Sequence, residues 1–291
     1  MSLQDFFKQD KLTISFELFP PKTESGEESL YEHVGRLMEF SPEFITCTYG
    51  AGGSTRGKTL EIVEKVKRQF NVPVASHLTL VGSSKDDLRG YLQKAADQGV
   101  DYIVALRGDP PKGETEFTQA EGGLQYANEL VELIRAEFSD FGVLVAGYPE
   151  THKDAVSPEI DLDNLKRKVD AGSDAVVTQL FYDNDDFYRF RDKCRARKID
   201  VPIVPGLLPV TSLKQIERIT SMCGSKLPAK FSDALSKSDE AEDQYKAGIE
   251  LAIEQTSDLI SRGIEGVHFY VLNKSKATAD ILNAINTKSV S

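Results

Sequence analysis

With 291 residues, 40% of them hydrophobic and 28% charged, the chain has the composition of a globular protein able to bury a large core. Its 35 Lys and Arg against 46 Asp and Glu give a formal net charge of −11, which opposes non-specific binding to nucleic acid or to an anionic membrane. The opening MSLQDFFKQDK has no apolar core bounded by a cleavage site, and no run is long enough to span a bilayer, so a cytoplasmic protein is expected. Cys47, Cys194 and Cys223 form no Cys-x-x-Cys pair, which predicts reduced thiols and neither a disulfide framework nor structural zinc.

From Leu12 onward, short β-rich runs alternate with longer helical patterns. The strand-like runs are LTISFEL from Leu12, EFITCTY from Glu43, VPVASHLTL from Val72, YIVALR from Tyr102, GVLVAGY from Gly142, DAVVTQLF from Asp174, VPIVPGLL from Val201 and GVHFYVLN from Gly266. Between them apolar residues recur at three- and four-residue spacing, as in Leu30, Val34, Leu37 and Met38, or Leu130, Val131 and Ile134. Strand alternating with helix predicts parallel strands joined by crossovers. Eight such units predict an α/β fold closed as a (β/α)8 TIM barrel, one domain over residues 1–291. The charged stretch from Ser221 to about Ala247 predicts an extra helix and a solvated turn before the last helix and strand.

Such a barrel carries its active site at the C-terminal ends of its strands, and those ends are polar here. They offer Glu17, Thr48 with Tyr49, His77, Arg107 to Asp109, Tyr148 with Glu150 and His152, Gln179, Gly206 and Asn273. In ALRGDPP, the strand stops at groups suited to a ligand: Arg107 can fork around phosphate or carboxylate, Gly108 lets backbone approach a flat ring, and Asp109 can orient a polar ring edge. An Arg and Asp that merely satisfy each other are the alternative. Glu17 sits among Phe16, Leu18 and Phe19, and partial burial there is expected to raise its pKa and suit it to giving up a proton; a glutamate turned to solvent is the other possibility.

GAGGST, from Gly50, has two of the glycines of a dinucleotide fingerprint, but Thr55 stands at the third position, so a close-approach loop is expected instead. In DLDNLKRKVDAG, Leu162, Leu165 and Val169 form a core stripe, while Asp161, Asn164 and Lys168 share a polar one. That stripe is either solvated surface or a clamp for a ribose and pyrophosphate, with Lys168 and Arg107 supplying charge. The spacings give no His-x-His pair and Arg107 would repel a cation, so no metal is expected. No lysine lies inside a strand-like run, which argues against a Schiff-base aldolase.

The ordered set SFELFPPK, TYGAGGSTR, HLT, ALRGDPP, AGYPETH, LKRKVDAG, TQLFYD, PGLLP and HFYVLN, from about Ile14 to Asn273, closely resembles methylenetetrahydrofolate reductase. GAGGST resembles the bacterial branch, and no counterpart of the longer eukaryotic enzymes' regulatory domain is seen, so inhibition by adenosylmethionine is not expected. The resemblance implies non-covalent FAD, reduced by NADH or NADPH, which then passes the hydride to 5,10-methylenetetrahydrofolate in a ping-pong cycle. It implies Glu17 as general acid toward the folate and Asp109 as partner of the pterin and flavin. It implies FAD-binding roles for Tyr49, Ala51, His77, Arg107, Gly108, Tyr126, Ala127, Tyr148, His152, Asp161, Asn164 and Lys168, and substrate-binding roles for Thr48, Gln179, Gln215 and Lys274.

Three positions depart from the family's usual pattern. Val271 and Lys274 stand where it reads HFYTLNR, and a lysine keeps the charge but loses the bidentate fork. Ile219 replaces an aromatic that some bacterial members carry. The partners implied are small molecules, with no nucleic acid and no membrane, and members of the family often assemble as homo-oligomers. A barrel flavoprotein acting on an imino acid and an idle flavin- or folate-binding subunit are the alternatives.

Overall fold

In the computed structural model, the described residues are 3–8, 11–49, 56–110, 113–114 and 116–288. The chain runs α1 (Leu3–Phe6), β1 (Thr13–Leu18), α2 (Glu24–Leu37), β2 (Phe44–Cys47), α3 (Arg56–Phe70), β3 (Val74–Thr79), α4 (Lys85–Asp97) and β4 (Tyr102–Leu106). It continues through α5 (Ala127–Glu137), β5 (Gly142–Gly147), α6 (Pro158–Asp170), β6 (Ala175–Thr178), α7 (Asn184–Ala196), β7 (Ile203–Val204) and β8 (Gly206–Leu207). The remainder is α8 (Leu213–Cys223), α9 (Ala229–Leu235), α10 (Ala241–Ser261), β9 (Gly266–Tyr270) and α11 (Lys276–Lys288). All strand pairs are parallel, in the order β7-β6-β5-β4-β3-β2-β1-β9-β8. This is a TIM-barrel-like ring, as the alternation predicts. α9 is the extra helix expected before the last helix and strand.

The run VPIVPGLL, expected as one strand, is two. Pro205 has no N–H to give a ladder, so the run breaks there and its halves serve opposite neighbours. Ile203 and Val204 pair with β6, whereas Gly206 and Leu207 pair with β9. His268 N donates to Pro205 O at 3.0 Å, so the proline still accepts across the closing seam. Gly206 is required there, because a Cβ would stand 2.2 Å from Thr178 O and 2.7 Å from the Tyr270 ring.

Two-residue alternation sorts the side chains into two layers. Phe16, Ile45, Ile103, Val143, Val176 and Phe269 face outward and pack with the apolar stripes of the helices, including Leu30, Val34, Leu130 and Ile134. Phe44, Ala75, Tyr102, Val104, Leu144, Ala175 and Val204 fill the lower interior. The opening residues, for which the sequence suggested no role, plug this lower end: Leu3, Phe6 and Phe7 are buried against it, and the Phe6 ring lies 6.4 Å from Phe44 and edge-on to Tyr102 at 6.3 Å. Above the apolar floor the inward face turns polar.

The strand starts are tied by a repeated device. Glu43, Asp101 and Asp174, each just before an even strand, donate their backbone N–H to the C=O of Ile14, Val74 and Val143. Their carboxylates accept the N–H of those same residues at 2.7, 2.9 and 2.7 Å. Each also meets a cation: Lys11 at 2.7 Å, Lys67 at 2.7 Å and Arg135 at 2.6 Å. Asp174→Ala strands both Val143 N and the Arg135 fork, which is expected to cost about 2–4 kcal/mol, read as a lower midpoint in urea or heat.

Candidate active site

The inward residues at the upper ends of the strands enclose a cavity of about 260 Å³. Its wall holds Glu17, Thr48, His77, Arg107, Gly108, Asp109, Tyr148, His152 and Gln179, so the structure gathers these expected positions around one space. A second cavity of about 160 Å³ is lined by Arg107, Tyr126, Ala127, Tyr148, His152, Asp161, Asn164 and Lys168. Leu106, Arg107, Ala146, Tyr148 and His152 belong to both, making one elongated cleft across the mouth.

Of the expected mouth positions among the described residues, Tyr49, Glu150, Gly206, Gln215, Asn273 and Lys274 line neither cavity. Ala51, with the GAGGST loop, falls outside the described residues. Tyr49 is not on either wall but in the outer core, stacked on Tyr91 of α4 at 6.1 Å, with its hydroxyl donating to Thr79 O at 3.4 Å. Gln215 serves α8: its Oε1 accepts from Thr211 N at 2.7 Å while its N–H donates to Ser212 Oγ at 3.2 Å, closing the first turn.

Glu17 contradicts the expectation of a raised pKa. Burial does oppose its charge, but the charge of His77 and the hydrogen bond from His268 outweigh it and hold the carboxyl down at about 2. Glu17 Oε2 lies 3.1 Å from His77 Nε2 and 3.5 Å from His268 Nε2. The sequence neighbours Phe16 and Leu18 point to the outer layer, whereas β3 and β9 bring imidazoles in from across the ring. Apart from this ion pair, His77 Nε2 and Thr46 Oγ1 are buried cavity-wall atoms with no hydrogen-bond partner among the described residues.

His268 and Tyr270 were not anticipated. Both line the cavity from within β9, where alternation along GVHFYV, set against Ser15 and Glu17 of the paired strand, could have placed them inward. The Tyr270 hydroxyl donates to Thr178 O at 2.7 Å. Thr46, Arg167 and Asp154 also went unnoticed, the first inside a strand and the others on the second cavity's wall.

Gly108 is explained differently from its sequence expectation. Its φ is +90°, and a Cβ would meet Val81 Cγ2 at 2.7 Å and Thr79 Cβ at 2.8 Å, so the neighbouring strand end already demands glycine. Beside it, Arg107 donates to Asp154 Oδ2 at 3.0 Å and lies 5.6 Å from the Phe117 ring centroid. Asp109 is exposed, with Lys153 Nζ 3.7 Å away.

The second cavity is built on α6. Ser157 caps that helix by accepting from Ile160 N, and Pro158 opens its first turn. Leu162 and Leu165 are buried as expected, which turns Asp161, Asn164 and Lys168 toward the cleft. Asp161 accepts from His152 N at 2.9 Å, and Asp154 N donates to His152 Nδ1 at 3.1 Å, which puts the neutral ring's proton on Nε2. Tyr148 and His152 meet edge to face at 4.5 Å. Lys168 donates to Ala146 O at 2.5 Å, and burial lowers its pKa to about 8.

Among the described residues no helix is long and apolar enough to cross a membrane, and no group of three or more His, Cys, Asp or Glu is arranged to hold a metal ion.

Known proteins share this fold and sequence. An uncharacterized protein from Clostridium thermocellum that binds two copies of 5-methyl-5,6,7,8-tetrahydrofolic acid superposes with a TM-score of 0.67 over 100% of both chains, at 15% identity, a likeness of fold alone. Methylenetetrahydrofolate reductase (NADH) 1 of Arabidopsis thaliana is 41% identical over 94% of this chain, which spans about half (48%) of that plant protein. The 5,10-methylenetetrahydrofolate reductase of Escherichia coli K12 is 37% identical over 96% of this chain and 93% of its own length. The family model described as methylenetetrahydrofolate reductase matches residues 2–286, and the chain belongs to that family.

Proposed function

We propose that this chain reduces 5,10-methylenetetrahydrofolate to 5-methyltetrahydrofolate through non-covalently bound FAD, with NADH as the first reductant to test and NADPH the second. The observation that carries the reading is the cleft itself: a buried carboxylate in one cavity, continuous with a second cavity lined by Arg107, Arg167 and Lys168, in a chain of this family.

The walls suit a flavin dinucleotide. Three cations in the second cavity answer a pyrophosphate in a chain that is otherwise acidic, and Asp161 and Asn164 offer partners for a ribose. The unpartnered Thr46 Oγ1 and His77 Nε2 await a polar ring edge in the first. When bound, FAD supplies the hydride chemistry that the side chains lack. Asp109 and Gln179, on the rim, orient the pterin, and Thr48 faces the same space. Glu17 hands a proton to a ring nitrogen of the folate, which opens the five-membered ring. That proton comes from the carboxylate–imidazole cluster, since Glu17 itself is ionised beside His77 and His268. Roles for Tyr49, Ala51, Gln215 and Lys274 rest on the resemblance alone.

Glu17→Gln is expected to leave flavin bleaching by NADH intact under anaerobic conditions and to slow its recovery with methylenetetrahydrofolate by about 10²–10⁴-fold. Equal loss in both half-reactions contradicts the role. Lys168 loses its charge as pH rises through about 8, so FAD affinity is expected to fall by up to about tenfold from pH 7 to pH 9. Lys168→Met should bind FAD more weakly with that dependence removed, as measured by fluorescence quenching.

A further inference from the structure

Beside Glu17, on the wall of the same cavity, stands a second titratable group with no assigned role. His268 is 1% exposed, and both of its ring nitrogens face protein. Nδ1 lies 2.8 Å from Ser15 Oγ, and Nε2 lies 3.5 Å from Glu17 Oε2. The ring is held on both sides, stacked near-parallel to Phe44 at 6.4 Å and edge-on to Tyr270 at 5.3 Å. Ser15 and Glu17 are alternate residues of β1, paired in register with His268 and Tyr270 of β9. The parallel ladder therefore fixes the imidazole against the carboxylate before any ligand arrives.

The two histidines around Glu17 are not equivalent. Both line the cavity and both Nε2 atoms approach Glu17 Oε2, His77 at 3.1 Å, but the described residues give His77 no second anchor like Ser15. His268 is committed at both nitrogens. The other titratable groups near the carboxylate are Cys47 from β2 and Tyr270 from β9, both of which burial holds in the neutral form. Arg107 and Asp109 lie on the far wall of the same cavity.

We propose that His268 is the positioning residue for Glu17: anchored by Ser15, it orients the carboxylate toward the cavity and stores the proton that Glu17 delivers. This rests on the function proposed above. In the step, the N–H bond at imidazole Nε2 breaks and an O–H bond forms at Glu17 Oε2. The carboxyl then passes its proton to the substrate nitrogen, leaving a neutral imidazole and a carboxylate. After product leaves, a proton from bulk solvent reaches the Glu17 carboxylate through the cavity and passes to Nε2, which restores the imidazolium. The Glu17 role becomes intelligible on these terms, because a carboxyl that its two imidazoles hold down at about 2 is ionised and must receive its proton from a neighbour.

The test follows the Glu17 carboxyl directly by carbon-13 NMR of the purified protein, its signal assigned by its loss in Glu17→Gln. His268→Gln keeps a donor at similar reach but cannot carry the proton. It is expected to raise the Glu17 midpoint by about one pH unit or more, a tenfold change in its acidity. The pH profile of the folate half-reaction should be displaced with it, and that half-reaction slowed about tenfold or more, with flavin reduction by NADH held within about twofold. A Glu17 midpoint within about 0.3 pH unit of the original, or equal losses in both half-reactions with an unmoved pH profile, overturns the proposal. If His268→Gln does not fold, Ser15→Ala, which releases Nδ1, must move the same two readouts in the same direction. Full folate turnover by Glu17→Gln would overturn the proton delivery and with it this proposal, whereas no folate turnover by the unaltered protein would overturn the proposed function instead.

Discussion

The site depends on how the ring closes. Pro205 divides the seventh run so that one half completes β6 and the other meets β9, and the carbonyl of Pro205 receives the His268 N–H. Gly206 leaves the space that Tyr270 needs to reach Thr178 O. β9 is then held between β8 and β1 in a fixed register, which sets His268 beside Ser15 and Glu17. A seam that reads as a defect in a strand thus aligns a buried polar contact of the mouth.

Along the barrel axis, solvation changes in one direction. The lower interior is apolar and stopped by Leu3, Phe6 and Phe7, so water can reach the polar layer only from the mouth. Inside that layer charge is compensated locally, with one carboxylate against two imidazoles. The second cavity differs: it carries an excess of cationic groups, and burial depresses Lys168 there. One end of the cleft sets a carboxylate against imidazoles and the other gathers cations, the two features on which the proposed function rests.

Much of this was legible in the chain. The eight β-rich runs mark the strands, and polar residues at their ends found Glu17, His77, Arg107, Asp109, Tyr148 and Gln179 on one wall. Where the structure departs from the sequence pattern, the cause is shared: neighbours along the chain are not neighbours in space. Phe16 and Leu18 suggested an apolar pocket for Glu17, yet they face the helices, and the groups that set its charge come from β3 and β9. His268 and Tyr270 were passed over because an apolar-looking run hides its inward face until a partner strand shows which face that is. Gln215 illustrates a signal present but unused, since Ser212-x-x-Gln215 is the pattern of a helix start.

The carboxylates under the strands carry a consequence for chain connectivity. Glu43 joins β2 to β1, Asp101 joins β4 to β3, and Asp174 joins β6 to β5, each with its own cation. No such clasp is seen among the described residues between β2 and β3 or between β4 and β5, so the wall is a series of strand–helix–strand doublets. New termini opened between doublets would leave every clasp within a continuous stretch of backbone, whereas termini opened inside one would require its two halves to find each other by diffusion across the whole chain. The protein is therefore modular in twos at its base, although its chemistry at the mouth draws on the entire ring.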